Sequence, residues 1–169
     1  MDTYLAIASK RDERRYEARR VPADVLQRML DAGRLSGSSR NRQPWVFVVS
    51  DERDRLESLA EHVYAPDNVR RAAIAVTIAT PGGKAAFDVG RSVQNMMLAA
   101  WNDGVASCPN GIPDARATAD FLGLEGDLTP VTVVSFGYPA RRRDPTSRSA
   151  EEWSRRARRK PLEAVVRRA

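Results

Sequence analysis

Histidine and cysteine are nearly absent. The chain of 169 residues has one of each, His62 and Cys108. A single thiol excludes an internal disulfide and suits a reducing compartment, so a cytoplasmic location is expected. A single imidazole excludes a multi-histidine metal centre and argues against a His-based triad; no metal site is expected. Lysine is scarce as well, 3 residues against 25 arginines. That skew reads as a compositional habit, so Arg in place of Lys at any one position says little about bidentate recognition. No apolar run approaches the ~18 residues of a membrane span. Met1-Asp2-Thr3-Tyr4 does not open a basic-then-apolar leader pattern. GxGxxG after a strand, GxxxxGK[ST], CxxC and HExxH are all missing.

What is present is enough for a packed core. Apolar residues make up 42% of the chain, which excludes a mostly disordered protein, and the length suits one domain over residues 1–169. The net charge of +6 is unevenly spread. Residues 1–140 carry 17 basic and 18 acidic side chains, whereas residues 141–169 carry 11 and 4. Residues 140–169 therefore read as a basic arm on a near-neutral body, suited to an anionic partner. Its one aromatic residue, Trp153, argues against stacking on single-stranded nucleic acid.

Helices and strands alternate in the pattern, which indicates an α+β or α/β class. Residues 2–9 predict a short helix with Tyr4, Leu5 and Ile7 inward. A second helix runs from Pro22 to near Gly33 on Val25, Leu26, Met29 and Leu30. Trp45 to Val49 predicts a strand covered on both faces, Ala72 to Thr80 a second buried strand and Pro130 to Phe136 a third. The charged stretch from Asp51 predicts a helix with Leu56, Leu59 and Val63 inward. The strongest helix runs from Phe87 to Trp101, with Val89, Val93, Met96, Met97 and Ala100 on one face and Gly104 after its end. Val105 to Cys108 predicts a short strand, Pro109 to Pro113 a turn, and Ala115 to Leu122 a small helix. Cys108 reads as a small buried hydrophobe and His62 as a solvated helical residue. Asp88 and Asp103 read as surface positions at helix ends. Pro161 to Val166 forms a short apolar hook.

Three polar segments stand out together. Ser9-Lys10-Arg11-Asp12-Glu13-Arg14-Arg15-Tyr16 precedes Val21-Pro22. Ser36-Gly37-Ser38-Ser39-Arg40-Asn41-Arg42-Gln43-Pro44-Trp45 leads into the first strand. Asp88-Val89-Gly90-Arg91-Ser92-Val93-Gln94-Asn95-Met96-Met97-Leu98-Ala99-Ala100 forms the main helix. In this order they resemble the R-R-S-x-R-x-[FY], A-P-S-x-x-N-x-Q-P-W and D-x-G-x-x-x-Q-N-x-x-L-A-A segments of the FMN-dependent nitroreductase family. Phe136-Gly137-Tyr138-Pro139-Ala140 is similar to that family's G-Y-P-A, and Arg158 to Glu163 to its basic P-L-E tail. The likeness runs from about residue 5 to 166.

The resemblance implies an α+β nitroreductase-like fold: a mixed central sheet flanked by helices, in an intertwined homodimer with the 140–169 arm on the partner subunit. It implies FMN as cofactor and NAD(P)H as reductant, in a ping-pong hydride reaction. The acceptor would be a small electron-poor molecule such as a quinone or nitroaromatic. Flavin N5 would carry the chemistry, so no catalytic side chain is expected. Lys10, Arg11, Asp12 and Arg14 match positions that hold phosphate, ribityl and ring edge. Asp12 replaces the usual Ser and places a carboxylate near phosphate, unfavourable unless Arg14 or Arg15 pairs with it. Ser38, Ser39 and Asn41 match the loop that reaches the partner subunit's flavin, with Gln43 bracing it. Gly37 replaces a Pro, implying a more mobile loop. Asn110 and Gly111 fall where a backbone N–H approaches N5. Arg158 and Arg159 match a C-terminal phosphate grip, to within a residue or two. Only Asp51 to Arg71 separates the first two strands, a short stretch that implies an open flavin pocket.

Taken as bare residues, other readings stand. The 10–16 cluster is also compatible with a solvated helix end, the 36–44 loop with a plain connection, and the arginine run at 155–160 with solubilising surface. Gln94-Asn95 is compatible with helix and dimer contacts alone. A flavin- or deazaflavin-binding protein, or a nucleic-acid-binding module on a degenerate fold, remains the alternative. Neither a membrane nor a nucleic-acid partner is favoured.

Overall fold

The computed structural model describes residues 1–169. The chain divides into two compact units: a body, Arg11–Arg143, and a terminal unit of Met1–Lys10 with Asp144–Ala169.

In the body, helix α2 (Ala23–Arg34) leads through a polar turn to strand β1 (Val46–Ser50). Helices α3 (Arg53–Ala60) and α4 (Pro66–Arg70) precede strand β2 (Ile74–Pro81). The long helix α5 (Ala86–Asn102), strand β3 (Ala106–Asn110), helix α6 (Ala115–Leu122) and strand β4 (Leu128–Gly137) complete it. The sheet order is β1-β2-β4-β3, with every neighbouring pair antiparallel. Parallel pairing is confined to one bridge, Asp12 with Ser107, so the sheet is mixed only at its β3 edge.

Strand alternation divides the core between two faces. Ile74, Val76 and Ile78 of β2, with Val134 and Phe136 of β4, pack with Val25 and Met29 of α2 and Val89, Val93, Met96 and Ala100 of α5. Ala75 and Val133 face the other way, onto Leu56, Leu59, Val63, Val69 and Leu122. Each large side chain buried in this way stabilises the fold by ~1.5–3 kcal/mol. Helices α2 and α5 approach closely at Gly33, where a Cβ would stand 2.8 Å from Met96 Cε. The Ser92 hydroxyl donates to the Gly33 carbonyl across this contact at 3.0 Å. No helix is long and apolar enough to cross a membrane.

Several expectations need correction. Strand β1 is an edge strand: Val46 is exposed, and Phe47, Val48 and Val49 are only half-buried. Its continuous apolar run is covered on neither face as fully as that of β2. Asn110 and Pro109 belong to β3, not to a turn, because they continue the pairing with Val133 and Val134. Asp88 is buried at 7% exposure. His62 is half-buried, its ring stacked on Phe121 at 4.6 Å between centroids. Cys108 is buried, in keeping with its reading as a small buried hydrophobe.

The terminal unit holds α1 (Thr3–Ser9) and α7 (Ala150–Arg156), which pack together. Asp2 caps α1, and Ser149 with Glu152 forms a reciprocal capping box on α7. Helix α1 buries Ala6, Ala8 and Ser9 and leaves Tyr4 and Ile7 exposed, the reverse of the expected face. The hook residues Leu162, Val165 and Val166 are also exposed.

Candidate functional site

The segment after Lys10 is extended rather than helical, and its backbone docks on the sheet. Asp12 bridges Ser107 of β3, and the Glu13 N–H donates to the Ser107 carbonyl at 3.1 Å. Further on, the Ala140 N–H donates to the Arg15 carbonyl at 3.0 Å, and the Glu17 N–H to the Tyr138 carbonyl at 2.8 Å. Tyr16 pins the segment at its middle. Its hydroxyl donates to the Glu13 carbonyl at 2.6 Å and lies 3.1 Å from Ser135 Oγ. Its ring lies against Gly137, where any Cβ would come within 2.8 Å of it. Burial pushes the Tyr16 phenol pKa far above its ordinary value, outweighing the opposing hydrogen bond from Ser135, so the hydroxyl stays a donor.

This docking opens a cleft of about 630 Å³ lined by Asp12, Glu13, Arg14, Arg15, Ala140, Arg141 and Arg143. Arg14, Arg15 and Arg141 are exposed. Arg143 pairs with the mostly buried Glu13 at 2.6 Å. Of the residues expected here, Asp12 and Arg14 line the cleft. Arg141 and Arg143 were hidden in the basic arm by composition; the pairing of Tyr16 with Pro139 brings them in. Arg11 is half-buried on the same segment.

The second expected group sits elsewhere on the body. Ser39–Asn41 forms a single 3-10 turn, with Arg40, Asn41 and Gln43 all left-handed at φ of 53°, 55° and 48°. For non-glycine residues that conformation costs roughly 1–2 kcal/mol each. Two bonds oppose the strain. The Gln43 N–H donates to Ser38 Oγ at 2.8 Å, and the Ser39 N–H donates to Asp88 Oδ2 at 3.1 Å. Gln43 Nε2 also reaches the Asn41 carbonyl at 3.3 Å, the expected bracing role. Asn95 donates to Ser36 Oγ at 2.7 Å, tying the same loop to α5. A Cβ at Gly37 would stand 2.7 Å from Arg91 Nη2, the end of an exposed side chain that can move aside.

Asn110 closes strand β3, and Gly111 follows it. The Asn110 side chain is buried and fully engaged. It donates to the Cys108 carbonyl at 2.9 Å and the Val133 carbonyl at 3.2 Å, and accepts from Asn68 Nδ2 at 2.8 Å. The Asn110 backbone carbonyl accepts from Thr132 Oγ1 at 3.0 Å and the Gly111 carbonyl accepts from the Tyr64 N–H at 3.1 Å, which leaves the Gly111 N–H to face a ligand. Gly111 is exposed, and a Cβ on it would stand 3.0 Å from the Tyr64 ring. At ~3.3 Å per residue, Gly111 lies about 13 Å along β3 from Ser107, where the basic segment docks. In the terminal unit, Lys10 ends α1, and the exposed Arg158 and Arg159 follow α7, Arg158 with φ of 51°.

The donor set in the body fits an FMN-like ligand: guanidinium groups for a phosphate, serine hydroxyls and amides for polar edges, and a glycine where a flat ring needs close approach to backbone.

Comparison with known proteins agrees with this architecture. A protein of Methanothermobacter thermautotrophicus named "Putative NADH dehydrogenase/NAD(P)H nitroreductase" is 28% identical over 151 residues, covering 83% of this chain and 78% of that protein. The crystal structure of a nitroreductase family protein from Clostridium difficile 630 superposes with a TM-score of 0.82 at 22% identity, over 99% of this chain and 98% of that one. An FMN-dependent nitroreductase from Clostridium difficile R20291 superposes at 0.76 and 20% identity, over 85% of this chain and 90% of that one. These two share the fold. The family described as "Nitroreductase family" matches residues 7–75 and 79–138, which include the docked segment, the strained turn, α5 and β3; the chain belongs to the nitroreductase family.

Proposed function

We propose that this protein is an FMN-dependent NAD(P)H oxidoreductase acting on small electron-poor acceptors such as quinones or nitroaromatics by a ping-pong mechanism. The observation that carries the reading is the arginine-lined cleft on a segment docked to β3, the strand that Gly111 follows. A bound FMN would supply two-electron hydride chemistry between NAD(P)H and the acceptor.

The chain's own part is binding and positioning. On the body, Arg11 and Arg14 supply cations for the phosphate; Lys10, Arg158 and Arg159 are the cationic candidates of the terminal unit. Asp12 lines the same cleft as Arg14 and Arg15. The Gly111 N–H would be the backbone donor toward the ring. Ser38, Ser39, Asn41 and Gln43 serve the flavin of a partner subunit, which is why their turn is tied to α5 and not to the cleft. The homodimer uses the outer side of α5, where Phe87 is 78% exposed beside Gly90, Arg91, Gln94 and Asn95. The hook of the basic arm, with Leu162 and Val165 exposed, packs on the partner. The short stretch between β1 and β2 leaves the pocket open to bulky acceptors.

Purified protein should be yellow, and NAD(P)H should bleach it under anaerobic conditions. Colourless protein that takes up no added FMN sinks the reading. A deazaflavin in its place would be recognised by the mass of the released cofactor. Arg14→Ala should weaken FMN retention by about tenfold or more, the scale of a charge-assisted hydrogen bond. Sedimentation should give a dimer.

A further inference from the structure

We propose that Thr132 is a positioning residue for the Gly111 N–H, an inference that rests on the flavin reading above. Thr132 Oγ1 donates to the Asn110 carbonyl at 3.0 Å. No peptide bond in the chain is cis, so the Asn110–Gly111 unit is planar and trans. In such a unit the N–H points opposite to the C=O. Holding the Asn110 carbonyl against β4 therefore aims the Gly111 N–H away from β4, on the exposed side of the strand end.

Three further features lock the same peptide. The Asn110 side chain is held by Asn68 at 2.8 Å and by the Val133 carbonyl at 3.2 Å, so residue 110 cannot rotate to release its carbonyl. On the far side of Gly111, its own carbonyl accepts from the Tyr64 N–H at 3.1 Å. Strand β4 also has an irregularity beside Thr132: Ile78 pairs with Thr132 but Ala79 with Pro130, leaving Val131 as an extra residue. Bulges of this kind re-aim neighbouring side chains, and they recur beside functional sites. None of these groups titrates near neutrality, so the device works by geometry alone. Thr132 touches no ligand; it acts through Asn110.

The test uses the full chain, with and without FMN, and compares wild type, Thr132→Val and Thr132→Ser. Valine keeps the shape and removes the donor, while serine keeps the donor. Amide hydrogen exchange at Gly111 is the main readout. In wild type, FMN should slow that exchange. In Thr132→Val the FMN-dependent slowing should fall by about tenfold, and Thr132→Ser should restore it. Equal protection in wild type and Thr132→Val overturns the proposal, as does FMN that binds but leaves Gly111 unprotected in wild type. If the protein takes up no FMN, the functional reading falls separately. The apo protein then decides the positioning: the Asn110 carbonyl carbon resonance should move upfield in Thr132→Val and not in Thr132→Ser. An unmoved resonance in Thr132→Val overturns the inference.

Discussion

The docked segment 11–17 and the turn 38–43 both present polar side chains at the surface, but they are held in opposite ways. Segment 11–17 has no left-handed residue and shares backbone hydrogen bonds with Ser107 of β3 and with Tyr138 and Ala140 just after β4. The turn 38–43 adopts three left-handed residues and is restrained from outside by one buried carboxylate, Asp88. The first is stable wherever the sheet is stable. The second stores strain and depends on a single acceptor, as functional loops often do. Cations that grip a phosphate need a firm base. The turn is set by one contact to helix α5.

The contrast can be broken most forcefully at Tyr16. Tyr16→Ala should cost ~3–4 kcal/mol in urea unfolding, because it removes a ring packed on Gly137 and two hydrogen-bond contacts. The same residue gives the docked segment an alkaline signature. Its folded phenol pKa is raised, so above pH ~10 the unfolded chain loses this proton while the folded one keeps it. Stability should fall as pH rises past that point, and Tyr16→Phe should flatten the slope. The turn should respond next: Asp88→Ala should cost ~2 kcal/mol and raise protease sensitivity at residues 38–43, while Asp88→Asn, which still accepts, should lose much less. Arg40→Gly should act in the other direction, stabilising by about 0.5–1 kcal/mol through relief of a left-handed residue, read as a raised Tm. The smallest effect is expected at Ser107→Ala. The Ser107 hydroxyl is buried without a partner, and docking uses only its backbone. The change should lie within about 0.5 kcal/mol of zero and leave cleft binding intact.

Much of the fold was legible because its longest elements carry clear periods. Val89, Val93, Met96, Met97 and Ala100 recur on one face of α5, and Ala115 to Leu122 matches α6 residue for residue. Helix α4 was invisible because Pro66–Arg70 is too short to show a period. The face of α1 was misread because two turns leave alanines and large residues competing, and the alanines won. Strand β1 looked like a central strand because composition cannot distinguish an edge with apolar side chains from a covered strand. The location of the polar segments was legible, but their chemistry was less so. Asp88 carries the look of a helix start, and only the folded turn reveals its acceptor role. Tyr16 was one aromatic in a run of charges, and Arg141 and Arg143 were part of a tail. Contacts between residues more than a hundred positions apart leave no local pattern.

Those distant contacts also set how the body bears load. Glu13 with Arg143, Arg15 with Ala140 and Glu17 with Tyr138 are successive rungs between two antiparallel segments, and both segments leave the body at the same end. Tension applied to residues 11 and 143 meets these rungs one at a time, beginning with the ion pair. The seam opens rung by rung, and the Glu13–Ser107 bond to β3 is loaded together with the first rung. The arginine-lined cleft lies along this seam. Mechanical opening would therefore dismantle the cleft first and leave the two-faced core standing.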